Sequence, residues 1–267
     1  MESEVMKIIR IDGHVHVDGD FTNIEKLEKS LELLFYEMDE LNIQKALIMP
    51  NNFQQSNEMI IELCKKYSDK LFGFCWAEFD GGLPQNHLVK FRYCVEKLGF
   101  KGLKIHPRYH GVSIKDKRVE ELVELAGEYN VPVYFDCLPS KGRVPIQETI
   151  PLLIDELAMR YPSTNIVIAH MGGHHILDSY AAVKNNDNIY LELSNIIIRY
   201  SGSSVIKDIE FVIRELASEK RIIFGSDFPT YSIKETYSLY NEMFSRLKMK
   251  NRDIEFIMGG TINSLIE

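Results

Sequence analysis

Short apolar runs alternate with longer amphipathic segments along the chain. The apolar runs lie near residues 8–12, 44–49, 71–77, 101–105, 131–135, 165–169, 189–193 and 221–225. Continuous apolar runs of this length are typical of strands buried on both faces, as in a parallel sheet. Segment 24–34 instead places its apolar residues on one helical face, at 24, 27, 31 and 34. Similar patterns predict helices over 83–98, 117–130, 146–161, 203–218 and 233–248.

Eight predicted strands separated by helical segments indicate an α/β protein, and specifically a (β/α)8 TIM barrel. The length of 267 residues fits one such barrel, so we expect a single domain over residues 1–267. The alternative is an open, doubly wound sheet. That fold favours a Gly-x-Gly-x-x-Gly turn after an early strand, and the sequence contains none.

Composition narrows the class of protein further. The net charge is −8, from 31 basic and 39 acidic residues, which argues against nucleic-acid binding. The apolar runs are far shorter than the roughly 20 residues that span a bilayer, and the acidic start of the chain does not resemble a signal peptide. The four cysteines have no Cys-x-x-Cys spacing. We therefore expect a cytoplasmic protein with reduced thiols and no membrane partner.

Side chains that can bind ions or substrates directly follow five of the eight apolar runs. They are His14 and His16, Lys104 and His106, Asp136, His170, and Asp227. His14 and His16 stand at i and i+2 of a strand, so their imidazoles point to the same side. Barrel active sites form at the carboxyl ends of the strands. All these residues are therefore predicted to face one mouth, where two imidazoles could begin a metal site.

Each of these residues also has a simpler interpretation. Histidines two positions apart arise by chance, and Asp227 could only cap the next helix. His170 could be a satisfied core histidine, and Asp136 could form a turn. Their common position at strand ends favours a functional site, because burying so many titratable groups without a metal or substrate is costly.

Five motifs resemble the amidohydrolase superfamily, and most closely its branch of metal-dependent hydrolases and decarboxylases similar to aminocarboxymuconate semialdehyde decarboxylase. They are Asp-Gly-His-Val-His at 12–16, Gly-Leu-Lys-Ile-His-Pro at 102–107, His-Met-Gly-Gly at 170–173, Gly-Ser-Asp-Phe-Pro at 225–229, and the closing segment 257–265. The resemblance spans the chain in consistent order. It specifies the superfamily much better than the reaction.

The resemblance implies one divalent metal, with Zn²⁺ as the expected ion and Mn²⁺ or another divalent ion as alternatives. Its ligands would be His14, His16, Asp227 and a histidine on the fifth strand, but Asp136 stands at that fifth-strand position. Asp136 could be the fourth ligand, which would neutralise the ion's charge and favour metals that prefer oxygen. His106 or His170 could instead supply the missing imidazole. The metal could also be lost, as in some lactone-hydrolysing relatives.

The resemblance also suggests a mechanism, metal-assisted hydrolysis of a small, carboxylate-bearing substrate. Asp227 would take the proton of an activated water, and His170 would polarise the scissile carbonyl. The candidate substrate-binding residues are Lys104, His106, Arg108, Arg143 and Arg199. Segments 51–57, 78–86, 107–116, 137–145 and 195–203 are expected to form the walls of the site.

Two other functions stay open at this point. A nonoxidative decarboxylase of an aromatic or unsaturated acid would use the same residues and release CO2 instead of consuming water. A catalytically silent barrel acting as a binding protein would need no metal. A second ion bridged by carboxylated Lys104 is not expected, because the relatives most resembled are mononuclear. The resemblance is consistent with a homodimer.

Overall fold

The computed structural model describes residues 9–50, 55–79 and 85–267, and every strand in this part of the chain is parallel to its neighbours. The strands are β1 (Ile11–Val15), β2 (Lys45–Ile48), β3 (Leu71–Gly73 and Cys75–Trp76, separated by Phe74), β4 (Leu103–Ile105), β5 (Val133–Asp136), β6 (Ile166–Ala169), β7 (Ile189–Glu192) and β8 (Ile222–Ile223). They pair in sequence order, and the two segments of β3 pair with β2 and β4 respectively.

Backbone hydrogen bonds also join the first strand to the last. The amide of Gly13 donates to the carbonyl of Phe224 at 2.8 Å, and the amide of Asp227 donates to the carbonyl of His14 at 2.9 Å. A parallel bridge links Val15 to Phe228. The ring of eight strands is therefore continuous in the described residues, which confirms the predicted TIM barrel and brings β1 beside β8.

Helices pack around the ring and follow the predicted alternation. They are α1 (Ile24–Glu40), α2 (Asn57–Lys66), α3 (Asn86–Tyr93), α4 (Pro107–His110), α5 (Lys117–Glu128), α6 (Pro151–Arg160), α7 (Ile176–Asn185), α8 (Ile196–Arg199), α9 (Val205–Leu216), α10 (Ile233–Arg246), α11 (Asn251–Glu255) and α12 (Thr261–Ile266). Side chains cap several of them: Ser56 accepts from the amide of Met59, and Ser232 from that of Glu235. None of the described helices is long and apolar enough to cross a membrane.

Among the longer helices, α2 and α7 were not predicted above, and neither were the short helices α4, α8 and α11. Helices α2 and α7 both have only 10 residues, and the buried face of α7 includes Ser179 and Ala182, which weaken its apolar stripe. Parts of three predicted segments, 8–12, 51–57 and 78–86, and the start of the predicted helix 83–98 lie outside the described residues. The four cysteines are buried and free, as expected for reduced thiols.

The core has two layers, as a barrel requires. The larger layer lies between strands and helices, where α1 contributes Leu27, Leu31 and Leu34. The smaller one fills the inside of the ring with side chains such as Leu47 and Tyr134, joined by residues of α12. Because the strands are buried on both faces, polar groups at their carboxyl ends lie in a largely water-free setting.

Candidate active site

The side chains predicted at the strand ends come together at one end of the barrel. His14, Lys104, His106, Asp136, His170 and Asp227 are all at least nine-tenths buried, and contacts of 3.0 to 3.6 Å link the first five of them. Asp227 joins them through His16, whose Nε2 lies 3.4 Å from its Oδ1. The ring centroids of His14 and His170 lie 4.9 Å apart, and those of His14 and His16 lie 5.1 Å apart. The residues therefore form one cluster, as their strand-end positions predict.

The two histidines of β1 each have one ring nitrogen held by a hydrogen-bond acceptor. Nδ1 of His14 lies 3.0 Å from Oε2 of Glu192, and Nδ1 of His16 lies 2.9 Å from the carbonyl oxygen of Met49. Since a carboxylate and a carbonyl only accept, both Nδ1 atoms donate, and both Nε2 atoms are left with a lone pair in the neutral ring. This is how proteins orient histidines that bind metals.

Asp227 completes a group with these histidines. Its Oδ1 lies 3.4 Å from Nε2 of His16, and its Oδ2 accepts from the side-chain amide of Asn195 at 2.8 Å. One ligand atom from each of His14, His16 and Asp227 lies within 4.8 Å of the others. Two imidazole nitrogens and one carboxylate oxygen are the ligand types of catalytic zinc sites, which keep a further position open.

A second group, His14 with His170 and Glu192, also brings its ligand atoms within 4.8 Å. In this group Glu192 already holds Nδ1 of His14 and accepts from the Ser194 hydroxyl at 2.8 Å. His14 cannot offer Nδ1 to an ion while it donates that proton to Glu192. The group of His14, His16 and Asp227 is therefore the better fit to a metal.

Asp136 lies beside this group and has its own partners. Its Oδ2 contacts Nζ of Lys104 at 3.2 Å and Nε2 of His170 at 3.0 Å. Its Oδ1 accepts from the amide of Leu138 at 3.1 Å and lies 3.6 Å from Nε2 of His106. Asp136 belongs to neither ligand group found among the described residues. At the position where a histidine ligand was expected, this carboxylate instead compensates a buried lysine.

Lys104 lies between the metal-ligand group, through His14, and Asp136. Its Nζ lies 3.3 Å from Nε2 of His14 as well as 3.2 Å from Asp136. The ammonium group therefore donates to the same lone pair of His14 that an ion would use. Lys104 must turn toward Asp136 when a metal binds His14.

The electrostatics of the cluster divide its histidines into two kinds. Burial is the main reason why the pKa of His14 is well below its usual value, and Lys104 adds to this effect. Burial likewise lowers the pKa of His106 to about 4, although Asp136 opposes the shift. For His170, burial would lower the pKa, but the charge and hydrogen bond of Asp136 outweigh it and raise the pKa. His14 and His106 are therefore neutral at pH 7, and His170 is the histidine that holds a proton best.

The two aspartates stay ionised in spite of their burial. Burial would raise the pKa of Asp136, but His106, Lys104 and His170 bring it well below its usual value. Burial would raise the pKa of Asp227, but its contact with His16 and the charge of nearby His170 lower it to about 2. The cluster thus holds ionised carboxylates beside neutral His14, a combination that suits a divalent cation.

Three residues at the end of β7 were missed in the sequence. Glu192 orients His14, Ser194 lies 2.9 Å from Nδ1 of His170 through its hydroxyl, and Asn195 holds Asp227. Their signal was Glu192 itself, a carboxylate within the apolar run 189–193. A charged residue inside a doubly buried strand needs a partner, and here the partner is His14.

Backbone strain occurs at the same strand ends, as it does at several helix ends elsewhere in the described residues. His170, Asn195 and Asp227 have φ values of 54°, 71° and 63°, in the left-handed region that residues other than glycine rarely adopt. They follow β6, β7 and β8, respectively. Strained non-glycine residues cluster at functional sites, so this observation supports the assignment independently of the side-chain chemistry.

The three arginines predicted to bind substrate are not among the residues of the cluster. Arg108 is buried and donates from Nε to the carbonyl of Ser140 and from Nη1 to that of Val144 at 2.6 Å. Its guanidinium therefore stabilises the loop after β5 through these hydrogen bonds. Arg143 and Arg199 are exposed. Substrate binding by these three arginines stays a prediction.

Slight exposure marks the side from which a substrate can approach. The side chains of His16, His106, Asp136 and Asp227 are 7 to 10% exposed, whereas those of His14 and Lys104 are at most 1% exposed. The first four residues therefore border the opening. A reacting group entering there meets the carboxylates of Asp227 and Asp136 and the imidazoles of His16 and His106.

Comparisons with known proteins agree with this architecture. A family model described as amidohydrolase matches residues 11–251. A TIM-barrel protein from Bordetella bronchiseptica superimposes with a TM-score of 0.78 at 20% identity, covering 96% of this chain and 97% of that one. The 5-carboxyvanillate decarboxylase of Sphingomonas paucimobilis gives 0.70 at 12% identity, covering 97% and 99%. The 4-oxalomesaconate hydratase of Rhodopseudomonas palustris gives 0.70 at 14% identity, covering 97% and 95%. No curated protein matches the chain in sequence.

Proposed function

Since the chain belongs to the amidohydrolase family, we propose that it is a metal-dependent hydrolase of a small substrate, with His14, His16 and Asp227 as the metal ligands. The single observation that carries the proposal is the fixed direction of the two histidines. Both Nδ1 atoms donate to acceptors, and the Nε2 atoms are thereby left for an ion beside Asp227.

Zn²⁺ is the ion that best fits this ligand set, because two imidazoles and a carboxylate are its usual catalytic ligands. Mn²⁺ would be favoured if Asp136 were also a ligand. Asp136 instead contacts Lys104 and His170, which makes Mn²⁺ the weaker candidate. Bound at this position, a divalent ion supplies an activated water, since it lowers the pKa of water from 15.7 to about 7.

The surrounding residues handle protons and charge. Asp227 is ionised and borders the opening, so it can accept the proton of the attacking water and pass it to the leaving group. His170 is held between Asp136 and Ser194, and its raised pKa favours a protonated ring whose positive charge stabilises negative charge on the substrate oxygen. Lys104 neutralises Asp136, so this buried carboxylate does not repel a substrate carboxylate.

Decarboxylation is the second candidate, and one observation favours it. Both ring nitrogens of His170 face acceptors, Nε2 toward Asp136 at 3.0 Å and Nδ1 toward the Ser194 hydroxyl at 2.9 Å. This arrangement stabilises a protonated imidazole, which could protonate the carbon that loses CO2. The fold likeness to a decarboxylase is compatible with this chemistry.

The products distinguish the two reactions. We expect the zinc-loaded protein to hydrolyse a simple activated ester, 4-nitrophenyl acetate, and lactones, and to place labelled oxygen from water in the acid product. Release of CO2 from aromatic or unsaturated acids, without uptake of labelled water, would identify the decarboxylase instead. Neither activity above that of the metal-free protein would contradict both candidates.

Replacing Glu192 by glutamine is expected to weaken metal binding by about 10- to 100-fold, because the amide orients His14 less firmly than the carboxylate does. Competition with a chromophoric chelator measures this affinity. Glu121→Gln is the matched control, since Glu121 pairs with His87 at 2.9 Å outside the cluster. Equal metal affinity of the Glu192→Gln variant and the unmodified protein would show that Glu192 does not support a ligand.

We propose a cytoplasmic location for this single-domain enzyme, supported by its four buried, free cysteines. Its partner is a small-molecule substrate. The homodimer stays a prediction.

A further inference from the structure

A cavity of about 550 Å³ opens beside the cluster, between the start of α2, the end of β3, and helices α3 and α4. We propose that this side cavity binds an uncharged aromatic ring of the substrate, with Trp76, Val89 and Tyr93 setting the specificity. The inference rests on the proposed function for the position of the reacting group. It goes beyond the proposed function by assigning a binding site to the part of the substrate that lies away from the reacting group.

The side cavity is one side chain away from the cluster. Trp76, in its wall, has its ring centroid 6.1 Å from that of His106. His106 in turn lies 3.6 Å from Asp136 and borders the opening. A ligand with its reacting group at the opening can therefore place a ring in the side cavity if its linker reaches past the rings of Trp76 and His106.

The wall of the side cavity includes apolar side chains that the described residues leave exposed. Val89 and Tyr93, on α3, are 64% and 50% exposed and both line the side cavity. Trp76 and Phe79 add aromatic faces at the end of β3. Exposed apolar surface gathered in a concave site is typical of ligand binding, and cavities for small ligands span about 300–1,000 Å³.

The charges in the wall favour an uncharged ring. Lys90 donates to Glu78 at 2.5 Å, and the side-chain amide of Asn57 donates to the same carboxylate at 3.2 Å, so this ion pair is satisfied internally. Glu58 also lies in the wall and repels a second negative group on the ligand. A carboxylate on the substrate is therefore expected at the cluster, near Lys104, and not in the side cavity.

Trp76 is held in place before any ligand binds. The side chain of Asn57 accepts from the backbone amide of Trp76 at 2.7 Å and donates to its carbonyl at 3.1 Å. These bonds fix the backbone of Trp76, and its indole packs against the ring of His110 with centroids 4.6 Å apart. The side chain therefore loses little conformational entropy on binding, which favours selection by shape.

Trp76 is the only tryptophan of the chain, so its fluorescence reports on the side cavity directly. The probe is 3-phenylpropanoate, added to metal-free Asp227→Asn protein so that neither metal nor turnover contributes. We expect a saturable change in emission with a Kd of about 1–5 mM, typical for a ligand of this size. The saturated analogue 3-cyclohexylpropanoate, which has the same charge and carbon number, should bind about 2- to 10-fold more weakly because it cannot stack on aromatic rings.

Variants of exposed residues locate the binding. Val89→Asp and Tyr93→Ala should each weaken binding at least about 5-fold, whereas Leu33→Asp and Tyr36→Ala, at comparably exposed positions on α1, should leave it unchanged. A missing saturable response, equal binding of the two acids, or equal losses in the α1 variants would overturn the inference. Absence of a metal together with an intact fluorescence response would count against the proposed function alone.

Discussion

Replacing Asp227 by asparagine is expected to lower kcat/KM by about 10²- to 10⁴-fold, the usual contribution of a positioned acid or base. Asparagine keeps the shape of Asp227 and can still contact Asn195, but it carries no charge and accepts no proton. The loss should appear mainly in kcat, because the substrate contacts are retained. Turnover of 4-nitrophenyl acetate, or of the best substrate found, measures the effect at saturating Zn²⁺.

Asp178→Asn serves as the control for this substitution. Asp178 also contacts a histidine, with Oδ2 at 2.8 Å from Nδ1 of His175, but it lies on α7 and its side chain is 41% exposed. Its loss should leave turnover within about 2-fold, as expected for a surface change. Less than about a 10-fold loss in Asp227→Asn would contradict the proton-transfer role of Asp227.

Replacing Asp136 by asparagine is expected to destabilise the metal-free protein by about 3–5 kcal/mol, because the buried charge of Lys104 loses its partner. The side chain of Lys104 is 1% exposed, and its Nζ lies 3.2 Å from Oδ2 of Asp136. Urea denaturation followed by circular dichroism measures the free energy of unfolding. The double variant Lys104→Met/Asp136→Leu should recover most of the loss, because it leaves neither charge unpaired.

The exposed pair of Lys70 and Asp39 provides the matching control. Its nitrogen and oxygen lie 2.8 Å apart, but the side chain of Asp39 is 69% exposed. Asp39→Asn should therefore cost no more than about 1 kcal/mol. A cost below about 1 kcal/mol for Asp136→Asn, or no recovery in the double variant, would show that Asp136 does not serve chiefly to compensate Lys104.

The barrel could be predicted because its strands are buried on both faces and therefore appear as uninterrupted apolar runs. The residues at which the strands begin and end were less predictable. The run at 221–225 gives a strand of only Ile222–Ile223, since the amide of Phe224 donates to Ile257 at 2.8 Å and leaves the sheet ladder. Strand β1 runs further than its apolar core suggests, because Gly13 and His14 continue the pairing toward β8.

Much of the cluster was predictable for a different reason. In a parallel barrel every strand ends at the same mouth, so His14, His170 and Asp227 could be placed together without knowledge of any contact. The pairings inside the cluster could not be predicted. Whether Asp136 meets a metal or Lys104 depends on ångström-scale distances between strands, and sequence order contains no such distances.

The two histidines of β1 test the account most directly. We expect metal analysis of the purified protein, after incubation with Zn²⁺ and removal of excess ion, to find about one equivalent per chain. The same measurement on the His14→Ala/His16→Ala variant, shown to be folded by circular dichroism, should find almost none. A protein that binds no Zn²⁺ or Mn²⁺, or a double variant that keeps its full equivalent, would contradict a metal centre at His14, His16 and Asp227.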